Sequence, residues 1–335
     1  MKVRITQLDG SLPNLALMRL SRRHRDQGDE VRFTRSPYRQ MDEPAYDVVY
    51  GSAIFDYTRS HVERLQSEFP GAIVGGTGSG SRTVVEDVIG ESQGVSYDDY
   101  PDFTASLGFT QRGCRLSCKF CVVPQKEGRN VFASTVADIW RGGDHARNLH
   151  LLDNDFFGQP EAQWRARVEE IISGGFKVAF NQGINVRLMT KEVAAALAMV
   201  NYRDDAFKTK RLYTAWDNLK DEGVFFRGVD LLRDAGIQPT HLMAYMLVGF
   251  DKKETWERLF YRFNRMVALG IRPYPMVYGD RKKMLPLGGH NARIGHRTLG
   301  EFQRWVIRKA YTLVPFEAYD VNAKGVTVES EPSFL

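Results

Sequence analysis

Cysteine is scarce in this chain: three residues in 335. So small and odd a number excludes a disulfide framework and makes a reducing, cytoplasmic setting the expectation. No run of about 18 uncharged apolar residues occurs, so no membrane span is expected. The opening MKVRITQLDG passes straight into polar sequence, without the apolar core of a signal peptide. No lysine follows the glycine-rich run at 75–80, which is therefore not a P-loop. Ser81, in the sixth position, also denies it the G-x-G-x-x-G pattern. A flexible turn or a close backbone approach to a ligand is what remains. Neither sign of charge dominates. Lys and Arg number 46 against 41 Asp and Glu, giving +5 and a pI near 9.0. That balance admits a nucleic-acid partner without requiring one.

What is present is ordinary globular composition, 43% hydrophobic and 26% charged, in a chain long enough for two domains or for one barrel with an extension. Short apolar strands at Val3-Arg4-Ile5, Val31-Arg32-Phe33, 47–51 and 72–76 alternate with helical stripes at 14–27 and around Val62, Leu65 and Phe69. That alternation implies a parallel sheet. Residues 90–102 are polar and read as a linker. The second half repeats one rhythm of helix, glycine and strand. Gly174-Gly175, Gly236 and Gly270 each follow a helical stripe. Strands at 176–180, 242–248 and 275–278 come next. This is the syntax of a β/α barrel or a doubly wound sheet. Asp251 with Glu254 suggests a capping box for the third of these helices. A last helix is expected at 301–311, and the tail from about Ala323 carries little information.

All three cysteines fall in Gly113-Cys114-Arg115-Leu116-Ser117-Cys118-Lys119-Phe120-Cys121, after a strand-like segment at 105–110. Three thiolates within eight residues suit one metal centre. Three readings compete. A four-iron cluster normally takes four thiolates, so here one iron would stay open. A structural zinc site would need His145 or His150 as fourth ligand. Three buried free thiols are the third reading. Arg112, Arg115 and Lys119 on the same loop favour thiolates and hence a ligand.

The spacing C-x3-C-x2-C, with the aromatic Phe120 before the last cysteine, resembles the cluster loop of the radical SAM superfamily. The resemblance implies an α/β chain. A partial (β/α)6 TIM-like barrel at 96–290 would follow a small Rossmann-like parallel domain at 1–95 and precede a C-terminal helix and tail at 291–335. It implies that Cys114, Cys118 and Cys121 hold a [4Fe-4S] cluster whose open iron chelates S-adenosylmethionine. One electron, from a donor such as flavodoxin or ferredoxin, then yields methionine and a 5′-deoxyadenosyl radical that abstracts hydrogen from a substrate. Further cofactor contacts are expected at strand ends. Asp153, Asn154 and Asp155 are expected in place of the family's Gly-Gly-Glu, which is absent. Gln182, Asn185 and Arg187 suit ribose or carboxylate. Val248 and Gly249 suit adenine, mainly through backbone. Asp217 and Asn218 read as helix caps. Arg281-Lys282-Lys283 is a solvated loop or a phosphate contact.

The first domain loosely resembles cobalamin-binding domains. The segment after its first strand, Asp9-Gly10-Ser11-Leu12-Pro13, has no cobalt-ligating histidine, and His24 sits on a helix, so cobalamin is not expected. Three cysteines leave none for a second cluster or a methyl-carrying thiol. The substrate is open among a nucleotide, a nucleic acid and a small metabolite. The alternative class is a non-catalytic zinc module, three cysteines and one histidine, with a basic nucleic-acid-binding surface.

Overall fold

The computed structural model describes residues 1–90, 94–129 and 131–320, so the tail beyond Ala323 lies outside the described residues. The chain divides between Thr104 and Ala105 into two units.

The first unit runs β1 (Lys2–Gln7), α1 (Leu15–Asp26), β2 (Glu30–Thr34), β3 (Val48–Ser52), α2 (Arg59–Glu68), β4 (Ile73–Gly75) and α3 (Val85–Ile89). Its four strands are parallel, in the order β2-β1-β3-β4. Alternation along the strands gives each face its own core. Val3, Ile5 and Tyr50 meet Leu17 and Leu20 of α1. Val49 and Val74 meet Val62 and Leu65 of α2. Asn14 caps α1, its side chain accepting from Ala16 N and Leu17 N.

The glycine run packs against its own chain. A Cβ on Gly76 or Gly78 would lie 2.2 Å from the carbonyl oxygens of Ala53 and Phe55 respectively. The close approach is therefore to the backbone leaving β3. The segment expected as a linker belongs to this unit, residues 91–93 of it lying outside the described residues. Ser96 and Tyr100 are buried. The Tyr100 hydroxyl donates to Gln7 Oε1 at 2.8 Å and accepts from Asn14 N at 3.2 Å. The segment is anchored through Ser96 and Tyr100, while Gly94, Asp98, Pro101 and Asp102 remain exposed. His24 has both ring nitrogens engaged, with Asp29 at 2.7 Å and the Tyr50 hydroxyl at 3.2 Å.

The second unit opens with β5 (Ser106–Gly108), β6 (Gln111–Arg112), α4 (Val123–Lys126), β7 (Val131–Phe132) and α5 (Val136–Ile139). It continues through β8 (Asn148–Leu151), α6 (Glu161–Ser173), β9 (Lys177–Phe180), α7 (Lys191–Met199) and β10 (Asn201–Tyr202). It ends with β11 (Leu212–Ala215), α8 (Glu222–Asp234), β12 (Leu242–Val248), α9 (Trp256–Ala268), β13 (Arg272–Val277) and α10 (Leu299–Ile307). Two parallel sheets result, β10-β9-β8-β5 and β11-β12-β13, with β6 and β7 forming a small antiparallel pair. Ile184 N donates to Tyr213 O at 2.8 Å, tying the segment after β9 to β11. Among the described residues the sheets do not close into a barrel. Leu149, Val178, Phe180, Leu212, Leu242, Ala244, Met246 and Val248 pack with the helices in one core.

Three boundaries differ from expectation. Helix α9 is capped by Thr255, which accepts from Arg258 N at 3.3 Å, and Glu254 turns inward instead. Helix α10 begins earlier, at Leu299, because Thr298 and Glu301 form the capping box; Lys309, at φ 52°, follows its end. Strand β13 begins at Arg272, ahead of Pro273 and Pro275. It is an edge strand, where a missing N–H is tolerated.

Glu254 turns inward because Arg262 waits there. Both are buried, at 6% and 2% exposure, and ion-paired. Arg262 also donates to the carbonyls of Trp216 (3.0 Å), Asp217 (3.1 Å) and Leu247 (2.9 Å). Glu254 accepts from Gly249 N at 2.6 Å. One guanidinium thus braces the exits of β11 and β12. Arg262→Met should cost about 3–5 kcal/mol in urea denaturation, because it strands a buried carboxylate. A loss under about 1 kcal/mol would remove the brace from this account.

Candidate cofactor site at the strand exits

Strand β5 hands the chain to the cysteine loop, and β6 with β7 closes the loop's base. Gly113 sits at φ 81°, where a Cβ would lie 2.3 Å from Arg129 O, so only glycine fits this entrance. Cys114 N donates to Gly128 O, and Cys121 N to Cys118 O at 3.0 Å. The three thiols are free and half-buried. Burial pushes the Cys114 thiol up, with further upward contributions from Asp155, Cys121 and Cys118. Burial likewise pushes up Cys121, to which Cys118, Asp217 and Glu127 add. The thiols therefore lie within one another's electrostatic reach.

The exit of β8 clamps this loop. Asp153, 3% exposed, accepts from Thr110 N at 3.1 Å, Thr110 Oγ1 at 2.5 Å and Gln111 N at 2.8 Å. Asp155 is bidentate with Arg115, Nε at 2.7 Å and Nη2 at 3.0 Å, and also accepts from Arg115 N. Asn154 Nδ2 donates to Glu127, which in turn accepts from Gly113 N and Arg112. The two aspartates expected as cofactor contacts are thus occupied in shaping the loop. Glu127 was not singled out from sequence. Its signal is weak but present: a lone acid among Arg112, Arg115, Lys119, Lys126 and Arg129.

The exit of β9 supplies a cleft of about 390 Å³, part of it open to solvent, lined by Asn154, Gln182, Asn185, Arg187 and Thr214 among others. Four residues expected to bind cofactor, Asn154, Gln182, Asn185 and Arg187, therefore share one cleft. Arg187 reaches Cys118 Sγ at 3.6 Å and Asp221 at 3.5 Å. Thr214, 1% exposed, lines the cleft with no hydrogen-bond partner for its Oγ1. A buried unpaired hydroxyl is costly and marks a place for a polar ligand atom.

Asp217 does not cap a helix. It accepts from Leu247 N at 3.1 Å, joining the exits of β11 and β12, and burial pushes its carboxyl up. Asn218 makes no side-chain cap bond. Val248 and Gly249 stand apart from the cleft lining. Gly249 N donates to Glu254, and its carbonyl accepts from Lys283 Nζ at 2.8 Å, so the backbone expected to meet adenine is already used. Phe120 packs edge-on against Phe250, with ring centres 5.5 Å apart.

Neither histidine expected as a fourth zinc ligand is placed for that role. His145 precedes β8, while the cysteines follow the parallel strand β5, at the opposite edge of the sheet. His150 is buried on β8, its Nδ1 2.9 Å from Asn181 Oδ1, and burial pushes its pKa down to about 4. Among the described residues no three His, Cys, Asp or Glu side chains converge on a single metal ion. Neither family models nor curated proteins give a match to this chain.

Burial pushes the Asp153 carboxyl up to about 6, against the pull of its three donors. The unfolded chain releases this proton near pH 4, the folded chain near 6. Between these values the folded state binds more protons, so stability falls as pH rises, by up to about 3 kcal/mol. Asp153→Asn should flatten that dependence while costing about 1–3 kcal/mol at pH 7 through mismatched donors. Urea denaturation across pH 3.5–7 checks both; an unchanged pH slope in the variant would assign the dependence elsewhere.

Proposed function

We propose that this chain is a radical SAM enzyme. The single observation that carries the reading is that the loop bearing the three free thiols meets the Arg187 cleft at the next strand exits, Arg187 Nη2 lying 3.6 Å from Cys118 Sγ. Strands β5, β8, β9, β11, β12 and β13, each parallel to its sheet neighbours and in chain order, are read as the partial (β/α)6 barrel of that superfamily. The donor set, three thiols on one loop with no histidine among the described residues brought to them, suits a [4Fe-4S] cluster with one open iron better than a structural zinc site, which takes four protein ligands.

In this reading Cys114, Cys118 and Cys121 would hold the cluster, which would leave one iron to S-adenosylmethionine. When bound, the cluster supplies the electron that cleaves the sulfonium to methionine and a 5′-deoxyadenosyl radical. The chain's own residues position and shield. Arg187, held only at 3.5 Å by Asp221, would be the residue to meet the methionyl carboxylate. Gln182, Asn154 and Thr214 offer hydrogen bonds to the remaining polar atoms of the cosubstrate. Asp153, Asp155 and Glu127 hold the loop's shape as it loads. Phe120, against Phe250, screens the side of the loop facing β12. The electron donor is a small one-electron carrier of the flavodoxin or ferredoxin kind. The first unit, whose segment 9–13 directly after β1 carries no histidine, acts without cobalamin.

Anaerobic reconstitution tests the reading. It should give brown protein with about four irons, which releases 5′-deoxyadenosine with dithionite. Colourless protein holding about one zinc would replace the reading with a zinc module. Cys118→Ala should lose both iron and cleavage; full cleavage in that variant would overturn the ligand assignment. Arg187→Ala should keep its iron but bind S-adenosylmethionine about tenfold or more weakly in equilibrium dialysis, the loss of one charged hydrogen-bonding partner. Equal loss of iron would make Arg187 a folding residue.

A further inference from the structure

The exits of β12 and β13 each end in paired cations, Lys252-Lys253 and Arg281-Lys282, and all four are exposed. The structure fixes the two turns together. Tyr278 N donates to Val248 O at 2.9 Å, and Lys283 Nζ to Gly249 O at 2.8 Å. The acids in these turns serve the backbone. Asp251 accepts from Lys253 N and pairs with Arg258, and Asp280 accepts from Lys282 N. Among the described residues, none of the four cations, nor the exposed Lys119 beside Phe120, enters an ion pair.

Each of these turns also carries an aromatic ring ahead of its cations, and the rings form a row. Tyr278, 49% exposed, packs edge-on against Phe250 at 4.9 Å, and Phe250 meets Phe120 of the cysteine loop at 5.5 Å. An edge-on partner supports the tyrosine ring while leaving a ring face for stacking. The unit carrying this rim is the basic one. From residue 105 on, the sequence has 34 Lys and Arg against 25 Asp and Glu, while residues 1–104 have 12 against 16.

Unpaired cations flanking an exposed ring are the chemistry that holds a single strand of nucleic acid, phosphates on the cations and a base on the ring. A duplex, whose bases are stacked internally, has no use for the ring. We infer that the β12–β13 rim binds single-stranded nucleic acid and thereby presents a nucleotide to the neighbouring cysteine loop. The inference names the substrate class of the site proposed above and rests on that reading for the chemistry that follows, though not for the binding.

The test uses the full chain and a fluorescein-labelled oligouridylate, followed by anisotropy over a range of salt. Binding should weaken steeply with salt. The variant K252E/K253E/R281E/K282E should lose about tenfold or more and flatten the slope of log affinity against log salt by about 3. Tyr278→Ala should lose about tenfold with the slope unchanged, and Tyr278→Phe should retain the affinity. No binding at low salt, undiminished binding by the charge variant, equal competition from a matched duplex, or an unaltered Tyr278→Ala would each overturn the inference. Circular dichroism and thermal unfolding, which do not depend on iron, report that the variants are folded. The two proposals separate cleanly. Cys118→Ala should bind the strand as wild type does. Strand binding by a chain that takes up no iron counts against the cluster alone. Iron loading and cofactor cleavage without strand binding count against the rim alone.

Discussion

The Asp153 carboxylate is held almost out of water by two backbone N–H groups and a hydroxyl from the start of the cysteine loop. Burying a carboxylate is costly unless its oxygens are satisfied. Here satisfaction comes from the chain that leaves β5, so the cost of desolvation is offset only when that chain adopts one path. Asp155 and Glu127 repeat the device further along the loop, through Arg115 and Gly113. A loop with almost no apolar anchors thereby acquires a fixed shape from one strand exit beside it.

The same logic recurs across the second sheet with the opposite sign of charge. Arg262 is cationic and buried, and its donors reach carbonyls leaving β11 and β12. Carbonyls beyond the last ladder bond have no strand partner, and a guanidinium has five donors in a fixed fork to satisfy several at once. Asp217 fastens the same two exits through Leu247 N. Buried ionic groups of this kind add little net stability. Their use here is geometric: they decide where each strand stops and how its following residues are aimed. That is the requirement of a site assembled from several strand ends.

Much of the architecture was legible because it is local. Glycine after a helical stripe, then an apolar strand, recovers α6, α8 and α9 with β9, β12 and β13 to within a few residues, while α7, β10 and β11 carry no such glycine. The cysteine spacing sits within eight residues and needs no tertiary knowledge. The errors have a common physical origin. Glu254 fits a capping box on paper as well as Thr255 fits an N-cap, and only the distant Arg262 decides between them. Residues 94–102 look like solvent-exposed chain until the Tyr100 hydroxyl finds Gln7, 93 positions away. Asp153 and Asp155, singled out as cofactor contacts by resemblance, already have partners within the fold. Their partners, Thr110 and Arg115, lie about 40 residues upstream. A sequence displays which groups need a partner; it does not display which partner the topology delivers.

Parallel strands account for why chemistry gathers on one edge. Each of β5, β8, β9, β11, β12 and β13 points the same way as its sheet neighbours. Every loop that follows a strand therefore opens on one edge of its sheet, and every loop that precedes one opens on the other. The thiols, the Arg187 cleft, the Asp217 bridge and the cations at 252–253 and 281–282 all follow strands. His145 precedes one, which is enough to remove it from the cysteines whatever its intrinsic affinity for metal. A ligand set drawn from this chain has to come from the loops that follow strands. Among the described residues the thiols of that set belong to a single loop. The cysteine loop adjoins the loop that carries Arg187, whose Nη2 lies 3.6 Å from Cys118 Sγ, and that loop shares its cleft with Asn154, Gln182 and the unpaired hydroxyl of Thr214.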